Sequence, residues 1–228
     1  MCQIQTFSKA VACAWSLMLL AGCATTGGPA SPSMLNPETG IVADAPTSQF
    51  PALTRVAGCQ AVYRDGQLFL FGPTDDRSLV QTRTEYRPPF AVCVRAKTDA
   101  RSIRLYYNVG MIILNWEIRP SELRFCDPLS GTIHGFPGKG EVEANKFHDI
   151  VWEVYPDGTR LTVNGNEIMK KLGEFGDLMA AVGVGPAFGS VVTLESFSVK
   201  PLKGTLNQQT DLTFAWTARN PDTDAGGE

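Results

Sequence analysis

The sequence predicts an all-β fold, an antiparallel β-sandwich of the jelly-roll kind, from three observations. Apolar and polar residues alternate with period two along most of the chain beyond residue 53, the mark of strands with one buried face. Turn dipeptides, Asp157-Gly158 and Asn164-Gly165 among them, punctuate the alternation as hairpin turns do. No amphipathic helical stretch separates one strand from the next, so neighbours are expected to pair antiparallel. The composition agrees: 22 Gly and 15 Pro against 9% aromatic residues suit many short strands and turns. A closed barrel is the all-β alternative that the pattern leaves open.

The clearest stretch is His148 to Glu167, HDIVWEVYPDGTRLTVNGNE. Ile150, Trp152 and Val154 alternate with Val151, Glu153 and Tyr155. Asp157-Gly158 is expected to supply a type I′ turn, and Leu161 and Val163 resume the alternation before Asn164-Gly165. Upstream, Gln60 to Phe71 reads as a hairpin around Arg64-Asp65-Gly66, and Gly72 to Asp76 as a loop. Ser78 to Tyr86 reads as a strand stopped by Pro88-Pro89.

Phe90 to Lys97 places Phe90, Val92, Val94 and Ala96 on one face and Cys93, Arg95 and Lys97 on the other. Ile103, Leu105 and Tyr107 oppose Arg104, Tyr106 and Asn108. In Met111 to Arg119, Ile112, Leu114, Trp116 and Ile118 form the apolar face; Met111, Ile113, Asn115, Glu117 and Arg119 form the other. Leu123 and Phe125 point inward, Arg124 and Cys126 outward. Pro128 to Asn145 reads as loop, and Glu167 to Leu178 as a short helix or a loop. Ala180 to Val184 and Val191 to Lys200 close the domain. Leu212 to Trp216 is a candidate edge strand.

The start of the chain has another purpose. Residues 1–22 form a signal peptide with an apolar run, Ala10 to Leu20, too short to span a bilayer. Leu20-Ala21-Gly22-Cys23 resembles the bacterial lipobox, which implies cleavage before Cys23 and lipidation of that cysteine. Membrane lipid is then the first partner, since multiple acyl chains anchor stably where one does not. Ala24 in place of Asp implies an outer-membrane destination in a Gram-negative cell envelope. Residues 23–52, rich in Gly, Pro, Ser, Thr and Ala, form a tether unable to bury a core. The domain spans residues 53–202, and residues 203–228 form a partly disordered extension.

Net charge is −3, too mild for nucleic acid as the main partner. Of six cysteines, Cys59, Cys93 and Cys126 belong to the domain. An odd count permits one disulfide and one free thiol. With no CxxC pair and two histidines, no metal site is expected; Asp75-Asp76 and Asp127 are the only hints of calcium ligands. No cofactor is implied: Gly183-Val184-Gly185 lies between strands and leads into Pro186, unlike a phosphate-binding loop.

The stretches DGQLFLFG, WEVYPDGTRLTVNGNE and GVGPAFGSVVTLESFSV resemble the concanavalin A-like lectin/glucanase superfamily, which includes laminin G-like domains. The resemblance covers Cys59 to Leu202. It implies a jelly-roll sandwich and places the chain near carbohydrate-binding and carbohydrate-cleaving proteins. The paired acids that glucanases of that superfamily carry on one strand, ExDxE or ExDxxE, are absent here. Glu141 and Glu143 have the spacing but sit beside a glycine-rich loop and read as surface acids.

The polar face of the middle strands is the better candidate site. If pairing follows chain order, Arg95, Lys97, Arg104, Tyr106, Asn108, Asn115, Glu117, Arg119 and Arg124 share it. Tyr106 would pack on a pyranose ring, Asn115 and Glu117 would accept hydroxyl hydrogens, and Arg104 and Arg124 would donate. A solvated, ion-paired face would use the same residues. Trp116 and Trp152 share the parity of Ile and Val neighbours and are expected in the core. His134 and His148 read as loop residues. Three functions stay open: non-catalytic binding of glycan or envelope material, a hydrolase or lyase with a degenerate site, and a module that meets an envelope protein.

Overall fold

The computed structural model describes residues 48–56, 58–72 and 78–208. The expected signal peptide, Cys23, the expected tether up to residue 47, Asp75-Asp76 and the Leu212–Trp216 segment lie outside the described residues. The end of the expected tether is corrected: Phe50 is buried in the core, and the Gln49 carbonyl accepts from the Phe197 N–H at 3.0 Å.

Among the described residues, fourteen strands make two antiparallel sheets. In chain order they are β1 (Leu53–Val56), β2 (Gln60–Arg64), β3 (Gln67–Phe71), β4 (Leu79–Tyr86), β5 (Phe90–Thr98), β6 (Ile103–Tyr107) and β7 (Gly110–Leu114). Then follow β8 (Leu123–Cys126), β9 (Ile133–Phe136), β10 (His148–Tyr155), β11 (Gly158–Val163), β12 (Asn166–Leu172), β13 (Ala180–Gly185) and β14 (Val191–Pro201). One sheet has the order β1-β4-β13-β6-β7-β8-β9 and the other β12-β11-β10-β5-β14-β3-β2. The expected antiparallel β-sandwich is what the chain forms.

The inner faces supply one core, as the alternation requires. Val92, Val94, Trp152, Val154, Leu194 and Phe197 from one sheet meet Leu105, Tyr107, Ile112, Phe125, Val182 and Val184 from the other. Phe90 and Tyr107 join the sheets edge to face, with ring centroids 4.9 Å apart, and the Tyr107 hydroxyl donates to the Tyr86 carbonyl at 2.9 Å. Trp152 is fully buried, and its indole N–H donates to Thr159 Oγ1 at 2.6 Å. Burying such a side chain contributes about 3 kcal/mol when its polar atom is satisfied.

Several local expectations are corrected. Tyr155 pairs with Gly158, so the hairpin loop is Pro156-Asp157. Neither loop residue has a positive φ, which removes the type I′ assignment there. Gly158 is instead a point of close approach: a Cβ would lie 2.6 Å from Leu206 Cδ2 and 2.7 Å from the Lys171 carbonyl oxygen. Leu206 is buried, and its N–H donates to Asp157 Oδ1 at 2.7 Å, so the chain stays packed past Leu202. The Asn164-Gly165 turn does have left-handed φ values of 50° and 80°.

Glu167 to Leu178 is neither helix nor loop at its start but strand β12, held against β11. Ile133–Phe136, placed in a loop, forms β9, which puts His134 on a strand. His148 opens β10 and is buried. Its Nε2 contacts the Glu143 carbonyl and its Nδ1 the Asn164 amide nitrogen, both at 3.0 Å. Cys59, Cys93 and Cys126 are all free thiols.

The largest correction is topological. Strands β5 and β6 are consecutive but belong to opposite sheets. Arg95 and Lys97 are therefore parted from Arg104, Tyr106, Glu117 and Arg124. On their own sheet Arg95 bonds Glu195 and bridges Asp149 at 3.1 Å, while Lys97 lies 4.8 Å from the Phe147 ring centre. Arg160 pairs across the strands with Glu153. That outer face is the solvated, ion-paired one.

Candidate functional site

The outer face of the other sheet is built differently, beginning with β13. Its outward positions are Ala181, Gly183 and Gly185, and the intervening Val184 enters the core. A Cβ at Gly183 would stand 2.5 Å from Leu79 Cδ1, and one at Gly185 2.2 Å from the Ser78 carbonyl oxygen. Small residues in mid-sheet leave a trough between β4 and β6. The Gly183-Val184-Gly185 sequence thus lies within a strand, and Gly183 with Ala181 lines the groove.

Two adjoining cavities open on this face. One, of about 360 Å³, is lined by Leu79, Gln81, Tyr106, Asn108, Ala181 and Gly183 among others. The second, of about 180 Å³, lies over Arg104, Ile113, Trp116, Glu117, Arg124 and Phe188. Met111 and Cys126 line both cavities and form the ridge between them.

Each polar group in the second cavity has a local cause. Arg104 pairs with Gly185 across β6 and β13, and its side chain is only 2% exposed. Its Nη2 donates to both Glu117 carboxylate oxygens, at 3.2 and 3.1 Å. Ser102 Oγ donates to Glu117 Oε2 at 2.8 Å. Burial by itself would raise the Glu117 pKa. The hydrogen bonds from its backbone and Ser102, with the Arg104 charge, outweigh that and hold the carboxyl below the usual carboxylate range. Glu117 is therefore an anion in the groove.

Arg124 comes from β8. Its guanidinium lies 4.0 Å from the Trp116 ring centre, a close cation–π contact. Its Nη1 donates to Glu122 Oε1 at 2.9 Å. Phe188 packs on Arg104, with the guanidinium 5.3 Å from its ring centre. Phe188 and Gly189 have φ values of 50° and 75°. A bulky residue in the left-handed region costs about 1–2 kcal/mol. The turn around it is held by the Ser190 N–H bond to the Ala187 carbonyl at 3.1 Å and by Ser190 Oγ to the same carbonyl at 2.6 Å. That conformation leaves the ring 45% exposed at the cavity rim.

Of the five predicted ligand residues, Arg104, Glu117 and Arg124 line the smaller cavity and Tyr106 the larger one. Asn115 lines neither. Its amide donates to the Val142 carbonyl and accepts from the Val142 N–H, both at 2.8 Å. It is a buried tie between the end of β7 and the 137–145 segment, not an exposed acceptor.

Trp116 was expected in the core and is not there. Asn115 takes a left-handed φ of 51°, which ends the strand alternation. Trp116 consequently turns to the outer face and Ile118 becomes 70% exposed. An Asn at the end of an apolar run was the available signal, since Asn tolerates that conformation. Phe188 carried a weaker one, the Pro186 to Gly189 turn.

Other candidates are occupied elsewhere. Glu143 pairs with Lys146 at 2.9 Å on the surface. Asp127 accepts from the Leu129 and Ser130 N–H groups, both at 2.9 Å. Among the described residues, no three His, Cys, Asp or Glu side chains cluster as a metal site.

No protein-family model and no curated protein sequence matches the chain. Solved structures do. Carbohydrate-binding module CBM66 from Bacillus subtilis superposes with a TM-score of 0.52 at 9% identity, over 65% of this chain and 94% of that one. A prokaryotic β-1,3-1,4-glucanase (lichenase) derived from a mouse hindgut metagenome gives 0.50 at 12% identity, over 66% and 93%. At these identities the likeness is one of fold alone, the antiparallel β-sandwich that the two sheets form.

Proposed function

We propose that this protein is a membrane-anchored envelope lipoprotein whose β-sandwich binds glycan without cleaving it. The observation that carries the reading is the groove of two adjoining cavities on one sheet face. It sets Trp116, Phe188 and Tyr106 beside Arg104, Glu117 and Arg124. Apolar rings for sugar CH faces and fixed polar groups for hydroxyls are what saccharide recognition needs. The two structures that share the fold, one named a carbohydrate-binding module and one a glucanase, are in keeping with it.

The acid complement favours binding over hydrolysis. Glycoside cleavage uses two carboxyl groups, the general acid with a raised pKa. Among the described residues lining the cavities, Glu117 is the only carboxylate, and its pKa is lowered. Cys23 would hold the domain at the membrane, with residues 24–47 as spacer before the chain joins the sandwich at Gln49 and Phe50.

The full chain should be retained on immobilised polysaccharides in affinity electrophoresis, and Trp116→Ala should abolish that retention while leaving the protein folded, with the melting temperature lowered only by the loss of the Arg124 contact, worth about 0.5–2 kcal/mol. Unchanged mobility of the parent protein across a broad glycan panel would refute the binding reading. Cys23→Ser should move the protein from the membrane to the soluble fraction; equal membrane association of both would refute the anchor.

A further inference from the structure

Gly135 on β9 stands opposite Arg124 on β8. A Cβ there would lie 2.3 Å from Glu122 Oε1 and 3.5 Å from Arg124 Nη1. The glycine thus makes room for Glu122, whose side chain is 10% exposed, to sit beside the guanidinium. Glu122 accepts from Arg124 Nη1 at 2.9 Å and from Arg119 Nη1 at 3.4 Å. Trp116 covers one face of the Arg124 fork. The side chain is therefore fixed at one edge and on one face before any ligand arrives.

Its other edge is uncommitted. Among the described residues no hydrogen bond falls on Arg124 Nε or Nη2, and the side chain is 28% exposed where it lines the smaller cavity. An Nε/Nη2 edge presents two parallel N–H groups, which match the two oxygens of a carboxylate. The charge balance agrees. Arg104, Arg119 and Arg124 face Glu117 and Glu122, one cation in excess. Glu117 is already compensated by Arg104 and Ser102. Met111, Ile113 and Ile133 line the same cavity, and partial exclusion of water strengthens a charged hydrogen bond.

Building on the glycan reading, we infer that the ligand is an acidic glycan, and that Arg124 grips a sugar-borne carboxylate side-on through Nε and Nη2. A uronic acid ring and the lactyl ether of a muramyl sugar both carry such a group.

The test is calorimetric titration of the full chain with three probes: oligogalacturonate, the same oligomer carboxyl-reduced to its neutral form, and peptide-free muramyl glycan strands. At least one acidic probe should bind roughly tenfold or more tighter than the reduced oligomer, the scale of a charge-assisted bond. Which acidic probe does so identifies the source of the carboxylate. Arg124→Gln should erase the difference between acidic and reduced probes. Arg124→Lys should erase most of it too, because it keeps the charge and loses the fork. Equal affinity of the parent protein for acidic and reduced probes would overturn the inference while leaving the glycan reading intact. So would full retention of acid preference in Arg124→Lys. Failure of every glycan to bind would overturn both.

Discussion

Replacing Asn115 separates a ligand residue from a framework residue. The Asn115 side chain is buried and exchanges two 2.8 Å hydrogen bonds with the Val142 backbone. Asn115→Ala would leave a buried N–H and a buried C=O at Val142 without partners, about 1–3 kcal/mol each. Alanine must also adopt the φ of 51°, which adds about 1 kcal/mol. The expected loss is about 3–7 kcal/mol, a large share of the stability of an ordinary domain. Asn115→Gly removes the same bonds but not the conformational freedom, and should be about 1 kcal/mol less destabilised than the alanine variant. Asn115→Asp keeps the acceptor for the Val142 N–H while setting a second oxygen against the Val142 carbonyl. It should fall near the alanine variant. Urea unfolding followed by tryptophan fluorescence gives all three values. An alanine variant within 1 kcal/mol of the parent protein would refute the framework role, as would glycine less stable than alanine.

Other outcomes follow from burial and charge. The depressed Glu117 pKa means its ion pair stabilises the fold above the ordinary carboxylate pKa and is lost as pH falls through the lower folded value. Acid unfolding of Glu117→Gln should therefore lack the part of the pH dependence that the parent shows below about pH 4, and identical pH profiles would contradict it. Cys59 is buried, and desolvation pushes its pKa up to about 12 against a smaller opposing effect of Arg55. Iodoacetamide at pH 8 should thus modify Cys93 and Cys126 well before Cys59, as read by peptide mass spectrometry. A Cβ at Gly140 would lie 2.3–2.4 Å from backbone atoms of Glu122 and Leu123. Gly140→Ala should cost about 1–3 kcal/mol in urea unfolding, and a neutral effect would mean that the 137–145 segment moves freely.

Strand identity was legible wherever one face is buried and the other wet. His148 to Tyr155 alternates because Ile150, Trp152 and Val154 lie in the core, and that pattern reads off the chain unaided. Strand β9 was missed because neither of its faces carries a sustained apolar pattern: Ile133 and Gly135 are exposed on one face, and His134 and Phe136 are half-buried on the other. Trp116 was misplaced because a single left-handed residue, Asn115, resets the parity that the alternation assumes. The Pro156-Asp157 loop escaped for a related reason: Asp-Gly is a strong turn signal, but here the glycine answers the close approach of Leu206, a contact distant in sequence.

The candidate site divides along the same line. That Arg104, Tyr106 and Arg124 point away from the core follows from period two within single strands, and it can be read from the chain alone, as can the all-β class. Which outward residues share a surface was decided only by the tertiary structure. Pairing between strands is non-local, so β5 leaves its neighbour β6 for the other sheet while β13, more than seventy residues away, comes to lie beside β6. That exchange takes Arg95 and Lys97 to an ion-paired face. It also brings the small outward residues of β13 beside Tyr106 and Arg104, and so opens the groove.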